Sequence, residues 1–194
     1  MRKLLLVFSL MLASTSAIAA QSASPATPLP NPPDWKQKVA EAMPLLGHRN
    51  WILIVDSAYP LQAVPGIETI ETDAGYLEVA RHVLVAIDRS VHVRPVILMD
   101  AELPFVSEQD APGVSAVRAE TSDLFRAYPV ESMPHDRLIA NVEEASKHFN
   151  VLVLKTNLTI PYTSIFIRLD CKYWGDDAEN RLRAKMAAAA TPNQ

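Results

Sequence analysis

Two side chains capable of proton chemistry or hydrogen bonding to a ligand bracket one apolar run. His48 follows Gly47, and Asp56 stands where the run Trp51 to Val55 stops, with Ser57, Tyr59 and Pro60 in the turn beyond it. An imidazole gives and takes a proton near neutral pH, and a carboxylate accepts hydrogen bonds from hydroxyl groups. Ligands of open α/β sheets bind outside the carboxyl ends of the strands, which makes Asp56 the first candidate for a site. An extended run of about seven residues spans roughly 20 Å. His48 and Asp56 therefore meet only if the segment bends or if a second copy of the chain brings its own His48 alongside.

The elements that must position these groups follow from hydrophobic periodicity. Asp34 is placed to cap a first helix in which Trp35, Val39, Ala42 and Met43 recur at helical spacing, with Pro44 and Gly47 ending it. After the strand at 51–55 comes a second short run, Ile67 to Glu71. Thr72 or Asp73 then caps a helix from about Gly75 to Arg89, whose apolar face carries Leu77, Ala80, Leu84 and Ile87. Val93 to Met99 reads as a buried strand ending in Asp100. A helix is predicted over Ser115 to Tyr128, and a polar one over His135 to His148. Val151 to Lys155 and Ser164 to Leu169 read as strands, and Asp176 to Ala190 as a terminal helix. Strands alternating with helices predict a single α/β domain over 34–190, three-layered α/β/α with a largely parallel or mixed central sheet.

Ahead of that domain, Met1 to about Ala20 has the form of a secretory signal: basic Arg2 and Lys3, an apolar centre from Leu4 to Leu12, and the small-residue pattern Ala17-Ile18-Ala19. The apolar centre is too short for a membrane span. Export to the periplasm or the medium is the expectation, with removal of the signal and no integral membrane span thereafter. Residues 21–33 are rich in Ser, Ala and Pro and read as a flexible leader. Loss of the signal leaves 16 basic residues against 22 acidic ones, a formal balance of −6. Such a chain is a poor partner for nucleic acid. Cys171 is the sole cysteine, so no intramolecular disulfide exists; a buried free thiol is expected, with an intermolecular bridge as the alternative.

Several chemistries lack their motifs. The five glycines build no phosphate-cradling loop, and HExxH, paired CxxC and GxSxG are all absent. No cofactor and no metal site is expected. His82, His92 and His148 are scattered and read as surface or packing residues. Trp51 and Tyr59 suit the core better than a stacking surface.

Four segments taken in order resemble the D-ribose pyranase and L-fucose mutarotase (RbsD/FucU) family. Gly47-His48, the apolar strand and Asp56-Ser57-Ala58-Tyr59-Pro60 are similar to the family's Gly-His, strand, Asp-Ala-x-x-Pro signature. Ile70-Glu71-Thr72-Asp73 resembles its short strand ending in an acid, and Val96 to Met99 its strand after the long helix. Phe149 to Leu169, with Pro161-Tyr162-Thr163-Ser164, is similar to its closing strand pair and Tyr-x-Asn motif. The resemblance spans Leu46 to Leu169.

It implies an RbsD-like fold and a cofactor-free isomerase acting on a small free sugar such as ribose or fucose. The chain would form a homo-oligomer with sites at subunit contacts. It further implies His48 as proton donor, Asp56 as a ligand of sugar hydroxyls and Tyr162 as a ligand from the last strand. Ser164 stands where the family has Asn; a hydroxyl replaces one hydrogen bond of an amide but not its two-sided pattern. His135 is the nearest match to a basic residue of the family, with Arg137 second. Opening a hemiacetal ring takes a proton from the anomeric hydroxyl and gives one to the ring oxygen, work suited to histidine. The alternative function is a non-catalytic exported sugar-binding or sensing protein on the same fold.

Overall fold

The structure, a computed structural model, describes residues 34–190. The signal and all of the leader lie outside the described residues. Asp34 caps helix α1 (Trp35–Ala42) as expected, its carboxylate accepting from the Lys36 N–H at 3.1 Å. Strand β1 (Trp51–Val55) and strand β2 (Ile67–Glu71) follow, then helix α2 (Tyr76–Arg89) and strand β3 (Val93–Asp100). A 3-10 turn at Leu103–Phe105 leads to helix α3 (Val114–Leu124), strand β4 (Val130–Met133), helix α4 (His135–Ser146), strand β5 (Val151–Lys155), strand β6 (Ile165–Cys171) and helix α5 (Asp176–Ala190).

The six strands form one sheet in the order β2-β5-β1-β6-β3-β4. β1 runs parallel to β5, β2 to β5 and β3 to β4, whereas β6 is antiparallel to both of its neighbours, β1 and β3. Five strands therefore end at one edge of the sheet, and β6 begins there. β4 is absent from the sequence reading, and its residues explain why. Val-Glu-Ser-Met is an edge strand whose first three residues are exposed, so it shows no alternation of apolar and polar positions.

Side chains of the central strands alternate between two cores, as the two-residue period of a strand dictates. Ile52, Ile54, Leu152, Leu154, Ile165 and Ile167 face the layer made by α1, α2 and α3. Trp51, Leu53, Val55, Val151, Val153 and Phe166 face α4, through Leu138 and Val142. All five side chains of β1 are buried, which a strand covered on both faces requires. The fold is thus an α/β sandwich of three layers with a mixed sheet. Gly75 occupies the N-cap of α2 in place of Thr72 or Asp73. Thr72 is turned instead toward the sheet, where its hydroxyl donates to the Lys155 carbonyl at 2.6 Å. Cys171 is a free thiol and only half-buried, because it sits in the last position of β6 beyond the strand's pairing with β1.

Candidate functional site

The edge where the parallel strands end carries a cleft of about 660 Å³. Asp56, His135, Tyr162 and Ser164 all line it, together with Ser57, Tyr59, Gln62 and Glu143. Four of the five expected site residues, drawn from three separate stretches of chain, are thus brought to one place.

Each is held there by local structure. Asp56 closes its own turn, its Oδ1 accepting the Ala58 N–H at 2.8 Å, while the Ser57 N–H donates to the Leu158 carbonyl at 2.8 Å. Tyr162 has φ +57°, a left-handed conformation that a bulky residue adopts only when its surroundings impose it. Two buried hydrogen bonds do so: the Thr163 hydroxyl donates to the Ile160 carbonyl at 2.8 Å, and the Tyr76 hydroxyl donates to the Thr163 carbonyl at 2.7 Å. The Tyr162 ring meets the His135 ring edge to face, centroids 5.5 Å apart. Ser164 enters β6 buried. Tyr59 is buried as expected and also forms part of the cleft wall; burial and the charges of Glu143 and Asp100 push its hydroxyl up to about 12.

His135 is the most firmly placed of the group. It opens α4, and its backbone N–H donates to both oxygens of Glu102, at 3.0 and 3.1 Å. Its Nδ1 lies 2.9 Å from Oδ1 of Asp100. The Asp100 side chain is 0% exposed, and its Oδ2 has no hydrogen-bond partner among the described residues. Burial pushes the Asp100 carboxyl above its ordinary range; the hydrogen bond and charge of His135 oppose this, and the carboxylates of Glu102 and Asp56 add to it. Asp100 does not line the cleft but stands behind His135, and although it carries the same signal as Asp56, an acid where a buried strand ends, the sequence alone gives it no role beyond closing the strand. Among the described residues no cluster of His, Cys, Asp and Glu could hold a metal ion, and no helix is long and apolar enough to cross a membrane.

His48 is placed elsewhere. It lies beyond the amino end of β1, with Arg49, Asn50 and the whole of that strand between it and Asp56, and the five residues of the strand alone span roughly 17 Å at about 3.3 Å per residue. Its Nδ1 is 2.9 Å from Oδ1 of Asp170, and its side chain is 59% exposed. The other Asp170 oxygen accepts from Nε and Nη2 of Arg94, at 3.0 and 2.5 Å. Burial pushes the Asp170 carboxyl up, but the Arg94 hydrogen bond, the Cys171 N–H and the charges of Arg94 and His48 outweigh it, and the net shift is downward. Within one chain His48 does not reach the cleft. The remaining histidines pack or bond structurally: His82 against Trp35, His92 to Ser90 and to the Leu46 carbonyl, His148 against Phe149. Trp51 is core.

No family model and no curated protein matches the chain. Among solved structures it is similar to RbsD of Bacillus subtilis complexed with D-ribose, with 16% identity over 68% of this chain and 89% of that one and a TM-score of 0.48. It is also similar to the fucose mutarotase of Streptococcus pneumoniae in complex with L-fucose, with 15% identity over 66% and 87% and a TM-score of 0.46. FucU of Bifidobacterium longum gives 15% identity over 68% and 92%, with a TM-score of 0.45.

Proposed function

We propose that the chain is an exported, cofactor-free sugar isomerase of the mutarotase or pyranase type, acting on a free monosaccharide in the Asp56–His135 cleft. The observation that carries this reading is the placement of His135. An imidazole held by a buried carboxylate on one nitrogen leaves Nε2 without a partner among the described residues, in a cleft that also presents Asp56, Tyr162 and Ser164 as hydroxyl ligands.

In this reading the His135 imidazole accepts the proton of the anomeric hydroxyl while a second acid delivers a proton to the ring oxygen. The bond from the anomeric carbon to the ring oxygen breaks, leaving an open-chain carbonyl compound. Closure on the other carbonyl face, or through a different hydroxyl, returns both protons and gives the other anomer or ring form. Substrate and product have the same atoms and oxidation state, so no cofactor is consumed. Asp56, Tyr162 and Ser164 fix the hydroxyls and keep the open chain in place for closure. The second acid is His48 of a neighbouring copy, which supplies from outside what the cleft of one chain lacks.

Exchange NMR on a panel of free sugars, ribose and fucose among them, tests this. Interconversion faster than the spontaneous rate, lost in His135→Gln, is the expected result. Binding with exchange at the spontaneous rate would make the cleft a receptor site and overturn the catalytic reading.

A further inference from the structure

We infer that Asp100 is the positioning residue of this site: it holds the His135 ring with the proton on Nδ1, so that Nε2 faces the ligand as a proton acceptor. The inference deepens the proposed isomerase reading and rests on it for the catalytic consequence alone.

Register places the two residues together. β3 and β4 pair parallel with Asp100 opposite Met133, and the Ala101 N–H donates to the Met133 carbonyl at 2.9 Å. His135 follows two residues after Met133, at the first position of α4. Met99 faces the α2 layer, so the alternation of β3 turns Asp100 to the opposite face, where α4 lies. A slip of one residue in β3 would put the carboxylate on the wrong side of the sheet. Glu102 completes the arrangement from the next turn of chain. Its carboxylate receives the His135 N–H and so fixes the start of α4, where a negative charge also suits the helix dipole.

The carboxylate itself is unusual in having one partner. A buried polar atom is ordinarily hydrogen-bonded, and one that is not calls for an explanation. Oδ2 of Asp100 has none, and the side chain is sealed from solvent. Among the described residues no arginine, lysine or backbone N–H shares the charge, so it acts on the Nδ1 proton alone. In a buried setting that interaction fixes one tautomer. A carboxylate kept merely for stability would be better served by more donors or by an apolar side chain of the same size.

The test is nitrogen-15 NMR of the histidine rings in the full chain, combined with kinetics of ring interconversion. In the unaltered protein the bare nitrogen of neutral His135 is expected to be Nε2. In Asp100→Leu, which fills the same space without an acceptor, the ring is expected to become a mixture of tautomers, with kcat falling about 10²- to 10⁴-fold and KM little changed. A bare Nδ1 in the unaltered protein would overturn the inference without any variant having to fold. So would an Asp100→Leu protein that keeps both tautomer and kcat. If the unaltered protein interconverts no sugar, the isomerase reading fails, and the tautomer measurement still decides whether Asp100 orients the ring.

Discussion

Two histidine–aspartate pairs stand at opposite ends of the same sheet with the same 2.9 Å contact between Nδ1 and Oδ1, and their surroundings make them different objects. Asp100 is sealed from solvent and serves His135 alone; Asp170 is 24% exposed and is shared between His48 and Arg94. Burial is the largest influence on both carboxyls, but it prevails at the first and raises it, whereas at the second the donors and charges of Arg94, Cys171 and His48 together outweigh it and lower it. The first pair is built to hold a ring still inside a cleft of its own chain. The second holds a histidine 59% exposed at the surface, where another copy can meet it. A hydrogen-bond distance therefore says little about role until burial and competing donors are counted.

The largest effect that separates the pairs is on turnover. His135→Gln and His48→Gln are each expected to slow ring interconversion about 10²- to 10⁴-fold, the usual worth of one acid or base. The difference appears on mixing. If His48 acts in the neighbour's cleft, co-refolding the two inactive variants restores activity, because some contacts then join an intact His135 cleft to an intact His48. Full activity in His48→Gln alone would reduce the second pair to a surface salt bridge.

Next in size is the support of the cleft. Tyr76→Phe removes the buried hydroxyl that donates to the Thr163 carbonyl and leaves that carbonyl unpaired, at a cost of about 1–3 kcal/mol. Tyr162 and Ser164 flank Thr163, so sugar affinity is expected to weaken along with the urea midpoint. The His48–Asp170 contact, at the other edge, is expected to be unaffected. An unchanged midpoint and KM would show that the turn is held by other means.

These contrasts were only partly legible in the sequence. Asp56 was legible, because an abrupt end to a buried run marks a strand's carboxyl end whatever its neighbours. The separation of His48 from Asp56 was legible too, since strand length fixes it. The His135–Asp100 pair was not. It depends on β4, whose exposed edge residues carry no periodic signal, and on the register that sets Met133 beside Asp100. Pairing is a long-range property, and local pattern does not encode it. The reversed direction of β6 was invisible for the same reason: its alternation of Ile165, Ile167 and Leu169 fits either orientation. The two helices flanking β4 were expected to run longer than they do. α3 stops at Leu124 and α4 at Ser146, against the expected Tyr128 and His148.

A smaller effect, opposite in sign for the two carboxylates, is expected in the pH dependence of stability. Asp100 has a raised folded pKa, so its contribution to stability is greatest below the ordinary aspartate range and is lost as pH rises through the folded value. Asp170 has a lowered one; its contribution is present above the ordinary range and is lost as pH falls through the folded value. Urea titrations from acid to neutral pH should therefore separate the variants. Relative to the unaltered protein, Asp100→Asn gains stability as pH rises and Asp170→Asn loses it. Parallel curves for the two would mean that burial does not distinguish them.

The smallest expected effect bears most directly on what sets the pairs apart, sharing or burial. Arg94→Ala removes the guanidinium from Asp170 and leaves that carboxylate to His48 and the Cys171 N–H. Because the Arg94 side chain is 45% exposed, the loss of stability is expected to be about 0.2–1 kcal/mol, the range for an exposed ion pair. The titration of the Asp170 carboxyl should respond more clearly. Its chief lowering contacts gone, it is expected to move upward, in the direction burial already pushes it, as carbon-13 NMR of the side-chain carboxyl would record. If it moves, the number of donors accounts for the contrast and the His48 pair becomes more like the one inside the cleft. A carboxyl that stays depressed without Arg94 would assign the difference to the Cys171 N–H and the greater exposure of this edge, which no substitution of Arg94 alters.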